Sequence, residues 1–128
     1  IIIVMNYLYE RRKFSNTHTS IQSKRLAKKY LHEAKSKLGS KKEFYESLDR
    51  ALHNYLKSIT LFDNSNYNKI NIEKELKKRN IDAGIIKTLN QLFNNCEMAR
   101  YTPITNVEME SDYTTAFDII FKIDKLIN

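Results

Sequence analysis

One cysteine, one proline, two glycines and no tryptophan stand in a chain of 128 residues, and each scarcity removes a class of fold. Cys96 alone cannot build an internal disulfide framework, and it suits a reducing compartment. So few glycines and prolines leave too few turn-formers for an all-β fold. The Trp, Gly and Pro markers of tetratricopeptide-type repeats are missing, and no segment recurs at a fixed period. Gly84 stands alone, so there is no glycine-rich loop to cradle a phosphate. What remains is a length that fits one domain, with long unbroken stretches that favour helices.

The chain carries a net charge of +7, and its placement is more informative than its size. Residues 1–42 hold eleven Lys and Arg against only Glu10 and Glu33, a net of +9. Residues 43–128 hold eleven basic and thirteen acidic side chains, a net of −2. The positive excess therefore belongs wholly to the first third, as in a nucleic-acid binder or a juxtamembrane segment. Ile1-Ile2-Ile3-Val4-Met5 is uninterrupted hydrocarbon, followed by Tyr7 and Tyr9 and then Arg11-Arg12-Lys13. Apolar run, aromatic belt and basic cluster is the order found where a transmembrane helix leaves the bilayer on the cytoplasmic side. The run is too short to span, since a span needs about 20 apolar residues. The tethered reading therefore expects about fifteen more before Ile1; a short buried element of the domain is the competing account. A signal peptide is disfavoured, because the basic residues follow the apolar run and no small-residue cleavage site comes after it.

These features divide the chain into the end of a membrane helix with its basic exit (1–13), a polar linker (14–20) and a helical domain (21–128). In the domain the apolar spacing predicts a helix over 21–38 on Ala27, Tyr30, Leu31, Ala34 and Leu38, stopped by Gly39. A second helix follows, with Ser40 and Glu43 as a capping box and Phe44, Tyr45, Leu48, Ala51, Leu52, Tyr55, Leu56 and Ile59 on one stripe. The two must form a tight antiparallel hairpin. The Asn-rich tract 63–68 reads as solvated loop. Asn71 is the expected cap of a short helix over 72–79, with Glu73 and Glu75 in its first turn. Asp82 caps the next, running over 83–101 on Ile85, Ile86, Leu89, Leu92, Phe93, Cys96, Ala99 and Arg100 and ended by Pro103. Residues 102–110 read as a polar loop, and Ser111 or Asp112 opens the last helix, with Tyr113, Ala116, Phe117, Ile120, Ile123 and Ile127 on one face. The predicted fold is all-α, a helical bundle of four long helices plus one short helix.

Candidate chemistry is sparse. His18, His32 and His53 lie on different elements without a second ligand at i+3 or i+4 on a shared inner face, and read as surface histidines. Cys96 falls on an apolar stripe, where a buried structural thiol is ordinary. Nothing pairs a nucleophile with a base, so no catalytic residue, cofactor or metal is expected. Lys24, Arg25, Lys28, Lys29, Lys35 and Lys37 make the first helix basic. That face can bind phosphate backbone, lie against anionic lipid or simply be solvated; its continuity with Arg11, Arg12 and Lys13 favours lipid over nucleic acid. Glu97 and Arg100, at i and i+3, can pair, or Arg100 can cap the helix end while Tyr101 packs under the loop turned by Pro103. Glu97, Arg100 and Tyr101 are the candidate interaction patch.

Three segments resemble the cytoplasmic C-terminal region of the BatD family, membrane proteins of bacterial aerotolerance-type operons. They are the membrane exit Tyr9-Glu10-Arg11-Arg12-Lys13, the helix over 43–56, and Leu92-Phe93-Asn94-Asn95-Cys96-Glu97-Met98-Ala99-Arg100-Tyr101-Thr102-Pro103. The last is similar to the family's Cys-Glu-x-Ala-Arg-Tyr/Phe-x-Pro segment and is the most specific; Asn54 departs from the aromatic or small residue often seen there. The resemblance implies an N-terminal extracytoplasmic part, a transmembrane helix at or just before Ile1–Leu8, and this domain on the cytoplasmic side of a bacterial inner membrane. It also implies a role in envelope stress or oxygen tolerance, with a MoxR-type AAA+ ATPase and von Willebrand A-domain membrane proteins as partners. The family brings no catalytic residues. A non-enzymatic, membrane-tethered protein-interaction domain is the reading that follows, with a basic helical nucleic-acid-binding domain as the alternative.

Overall fold

The computed structural model describes residues 21–104 and 106–127, and every described element is a helix. They are α1 (21–36), α2 (Lys41–Thr60), α3 (Lys69–Lys78), α4 (Ala83–Met98) and α5 (Asn106–Ile127). The fold is the expected all-α bundle of four long helices and one short one. The apolar run, Arg11, Arg12, Lys13, the linker and His18 lie outside the described residues. Among the described residues no helix is long and apolar enough to cross a membrane.

α2 is the element around which the others assemble. It buries Phe44, Tyr45, Leu48, Ala51, Leu52, Tyr55 and Leu56, and it touches α3, α4 and α5. α1 joins it as the antiparallel arm of a hairpin: Tyr30 meets Tyr55 edge to face at 5.5 Å, and Arg50 grips both oxygens of Glu33. Ala27, Leu31 and Ala34 are fully buried on α1. Small residues at two of these three positions let the helices approach closely. Gly39, at φ +96°, makes the reversal between them, a conformation that costs a residue with a Cβ about 1 kcal/mol. Ile119, Ile120 and Ile123 of α5 and Ile86, Leu89 and Leu92 of α4 complete the core.

Several expected boundaries move. The Ser40 side chain makes no cap hydrogen bond, and Glu43 reaches back to Lys37 at 3.5 Å, so the capping box is not formed. α3 opens three residues before the expected start. Asn68 is its cap, accepting from the Asn71 backbone N–H at 2.9 Å. Asn71 instead donates its side-chain amide to the Asn66 carbonyl at 2.8 Å, and no acid stands in the first turn. α4 ends at Met98 rather than at residue 101. There the Met98 carbonyl accepts the backbone N–H of Tyr101 and Thr102 and the Thr102 hydroxyl, which closes a turn well before Pro103. α5 begins at Asn106, so most of the expected loop over 102–110 is helix. The reason is Met109, which is 2 % exposed and extends the apolar face back by more than a turn. Asp112 is thereby a mid-helix residue and not a cap.

One polar cluster lies inside the apolar core. Asp124 of α5 is 7 % exposed and Ser23 of α1 fully buried, and the Ser23 hydroxyl donates to Asp124 Oδ2 at 2.6 Å. The Tyr55 hydroxyl points at the other carboxylate oxygen at 3.5 Å. Burial first, and then the Asp124 charge, drive the Tyr55 phenol far above its ordinary pKa. This cluster fixes which end of α5 lies beside the start of α1, because a shifted register would leave a carboxylate buried without its donor.

Three substitutions test this account by denaturant titration. Leu52→Ala removes a fully buried side chain from the central helix and is expected to cost about 2–5 kcal/mol. Asp124→Ala is expected to cost about 2–3 kcal/mol by stranding the Ser23 and Tyr55 hydroxyls, with Ser23→Ala milder at about 1 kcal/mol.

Candidate functional groove

The face of α2 turned away from α1 is only partly covered. Asp49, His53 and Lys57 repeat every four residues along it, and four-residue spacing places them in one row. α3 and α4 stand opposite, leaving an open groove of about 1330 Å³. Half-buried Tyr67 and Phe93 line its walls, over the core residues Ile72, Leu76, Ile86 and Leu89. Its rim carries both signs of charge, with Lys41, Lys42, Arg50, Lys57, Lys69 and Arg100 against Glu46, Asp49, Glu73 and Glu97. α3 and α4 are tied together across the groove by Asn90, whose amide donates to Glu73 at 2.7 Å.

At the centre of the α2 wall stands His53, which the sequence read as a surface histidine. Its ring is half-buried, stacked on Phe93 of α4 at 4.5 Å, with Nδ1 2.6 Å from the Tyr67 hydroxyl. Nε2 faces the Asp49 carboxylate at 3.5 Å. With the proton on the nitrogen that faces the carboxylate, Nδ1 accepts from Tyr67. Lys57 lies over the Tyr67 ring at 5.1 Å. Burial, and then the Asp49 charge, push Tyr67 up to about 12. This row of Asp49, His53 and Tyr67 fastens the 61–68 loop to α2.

Tyr67 belongs to the Asn-rich tract that reads as solvated loop, and that reading holds only in part. Asp63 accepts from the Ser65 hydroxyl and the Asn66 backbone N–H at 3.0 and 2.9 Å. These hydrogen bonds hold its carboxyl below the usual range and turn the chain so that Tyr67 meets α2. Nothing local marks Tyr67 as a packing residue. The i, i+4 pair Asp49 and His53 was the one signal in sequence, and it is a common pair.

Cys96 is buried beside the groove, as expected, and burial pushes its thiol up to about 12, with Asp49 and Asp112 adding to it. Asp112 accepts from Tyr45 at 2.6 Å and from the Asn95 amide at 3.3 Å, which locks α5 to α2 and α4 at this end. Among the described residues no group of three His, Cys, Asp or Glu side chains could hold a metal ion.

The candidate patch splits. Glu97 and Arg100 are exposed on the groove's rim, and among the described residues no ion pair joins them. Tyr101 is 77 % exposed on the turn after α4, so it does not pack under the loop. Arg100 is exposed too, where the stripe spacing had set it beside Ala99. The carbonyl at residue 102 is instead taken by Lys41 of α2, which donates at 3.0 Å. Lys24, Arg25, Lys28 and Lys29 are exposed on α1, which contributes nothing to the groove. The basic helix and the rim residues are therefore separate surfaces.

Native Cys96 is expected to resist a thiol-reactive dye at pH 8 and to react at once in denaturant. The neutral thiol and the neutral Tyr67 phenol are the native forms, with ordinary values of 9.0 and 10.0. Their contribution to stability is therefore complete below pH 9 and lost as pH rises towards about 12. Melting temperature should fall across that window, and less steeply in Tyr67→Phe.

The chain matches no protein-family model, no curated protein and no solved structure, so the fold and the groove carry the functional argument.

Proposed function

We propose that this chain is a non-enzymatic interaction domain, tethered to a membrane through its N-terminal segment, that docks a helical segment of a partner protein between α2, α3 and α4. The observation that carries the reading is the open groove of about 1330 Å³ with half-buried aromatics on its walls and a rim of both charges. An amphipathic helix laid in such a groove buries its apolar stripe, while its flanking charges meet the rim and set its direction. The His53, Tyr67 and Phe93 cluster keeps the α2 wall rigid, which lowers the ordering cost of binding. The tether rests on the order of hydrocarbon, aromatics and Arg11-Arg12-Lys13 in the sequence.

The resemblance of residues 92–103 to the BatD segment supports a MoxR-type AAA+ ATPase or a von Willebrand A-domain membrane protein as the partner, at the cytoplasmic face of a bacterial inner membrane. That segment supplies Glu97 and Arg100 to the rim and leaves Tyr101 at its edge. The alternative, a nucleic-acid-binding domain, uses Lys24, Arg25, Lys28 and Lys29, whose exposure on one helix suits a phosphate backbone.

Pull-down and titration against an ATPase and an A-domain protein of these types check the reading. Reversal of the rim by Arg100→Glu is expected to weaken binding by about tenfold or more; Tyr101→Ala is expected to weaken it less. Blocking the groove with Asn94→Trp, at an exposed lining position, should abolish it. Partner binding indifferent to Arg100→Glu and Asn94→Trp would discard the groove. Steeply salt-dependent DNA binding lost on reversal of Lys24 and Lys28 would establish the alternative.

A further inference from the structure

A second surface lies at the end of the bundle where α1 begins and α2 and α5 finish. The hydrogen bond from Ser23 to Asp124 and the contacts of Tyr55 with Tyr30 and Asp124 bring these three helix ends together. Large exposed apolar side chains gather there: Ile21 is 47 %, Leu61 83 % and Leu126 57 % exposed. Around them the basic residues converge. Lys24 of α1 and Lys125 of α5 lie over the same Phe121 ring, at 5.9 and 5.8 Å from its centre. Ile21, Lys24, Arg25 and Lys28 share one exposed face of α1, since residues three, four and seven apart are neighbours on a helix.

Two features argue against an ordinary solvated surface. Two ammonium groups from different helices crowd one ring, and among the described residues neither has a carboxylate within 4.0 Å. Cations without a neighbouring carboxylate are left open to an external anion. Leu61, in turn, occupies the left-handed region at φ 56° at the end of α2, where glycine is the usual residue. A leucine there spends backbone strain to hold a large apolar side chain in water. Strain of this kind concentrates where a side chain is used.

Three of the acids at this end are engaged elsewhere. Asp124 is turned inward to Ser23, Asp118 pairs with Lys122 at 3.7 Å, and Asp63, beyond Leu61, is occupied by its own loop.

We propose that this end face is a lipid-contact surface that rests on an anionic bilayer, with Ile21, Leu61 and Leu126 entering the headgroup layer and Lys24, Arg25 and Lys125 meeting lipid phosphates. Apolar tips ringed by cations are what an interfacial surface presents. Each basic residue raises partitioning onto an anionic bilayer about fivefold, so the three together outweigh any one of the apolar contacts. The proposal deepens the tether reading, because α1 begins at this same end. It sets the groove side-on to the membrane and open to the solvent.

The test uses the whole chain with an environment-sensitive dye on Leu126→Cys or, at the opposite end, on Tyr101→Cys; buried Cys96 stays unlabelled. The probes are vesicles of phosphatidylcholine with and without phosphatidylglycerol, carrying doxyl lipids as quenchers. On anionic vesicles the dye at 126 is expected to shift to the blue and be quenched, and the dye at 101 to stay in water. Lys24→Glu with Lys125→Glu should restore the aqueous spectrum at 126. Leu61→Gly should melt no lower than the parent yet reduce quenching, which separates use of this side chain from folding. A chain that binds vesicles while the dye at 126 remains in water would overturn the end face and leave the tether standing. A chain that binds no vesicle would overturn both. The same blue shift produced without lipid, by raising protein concentration or by adding DNA, would assign the face to a second copy or to nucleic acid and end the proposal.

Discussion

The structure depends on burying α2 from most of its circumference. Phe44, Tyr45, Leu48, Ala51, Leu52, Tyr55 and Leu56 occupy more than one stripe of a twenty-residue helix. A helix apolar over so wide an arc cannot be satisfied by a single neighbour. It needs α1 on one side, α5 on a second, and α3 with α4 on a third. Those helices carry narrower stripes and have polar backs, so each covers α2 once and then ends at solvent. The bundle is therefore one central helix in a sleeve.

The sleeve does not close between α2 and the pair α3 and α4. α3 has only ten residues and buries only Ile72 and Leu76, too little to seal that side. The arc of α2 left over carries polar residues, and they are put to use. Asp49 and His53 hold Tyr67, and through it the loop that delivers α3. The groove is thus a consequence of a short third helix, and its walls are set by the same contacts that hold α3 in place.

The two ends of the bundle are fastened differently. At the end where α2 starts, Asp112 joins α5 to Tyr45 and Asn95, and Lys41 holds the turn after α4. At the other end Ser23, Tyr55 and Asp124 join α1, α2 and α5. Each junction uses a carboxylate placed within an otherwise apolar layer. Such groups add little net stability, but they penalise any register that separates them from their donors. They set the order in which the helix ends are presented, and so decide which residues share a surface.

Helix number, helix type and most of the core were legible in sequence, because apolar spacing is a local property that survives any packing arrangement. Ala27, Leu31, Leu48, Leu52, Ile86, Leu92, Ile120 and Ile123 are core residues by spacing and by burial. Gly39 likewise marked its reversal, since the left-handed conformation is written into the residue type. Boundaries were less legible: Asn68 and Asn71 are equally good caps locally, and only the fold of the preceding turn chose between them. Tertiary structure alone decided that Asp124 lies inward, that Tyr67 leaves the solvated loop to meet His53, and that Lys24 and Lys125 face one ring. These residues look like surface polar groups in any local window. Their roles come from partners 14 to 101 positions away, and a contact at that range is set by how helices pack, which no spacing along one helix encodes.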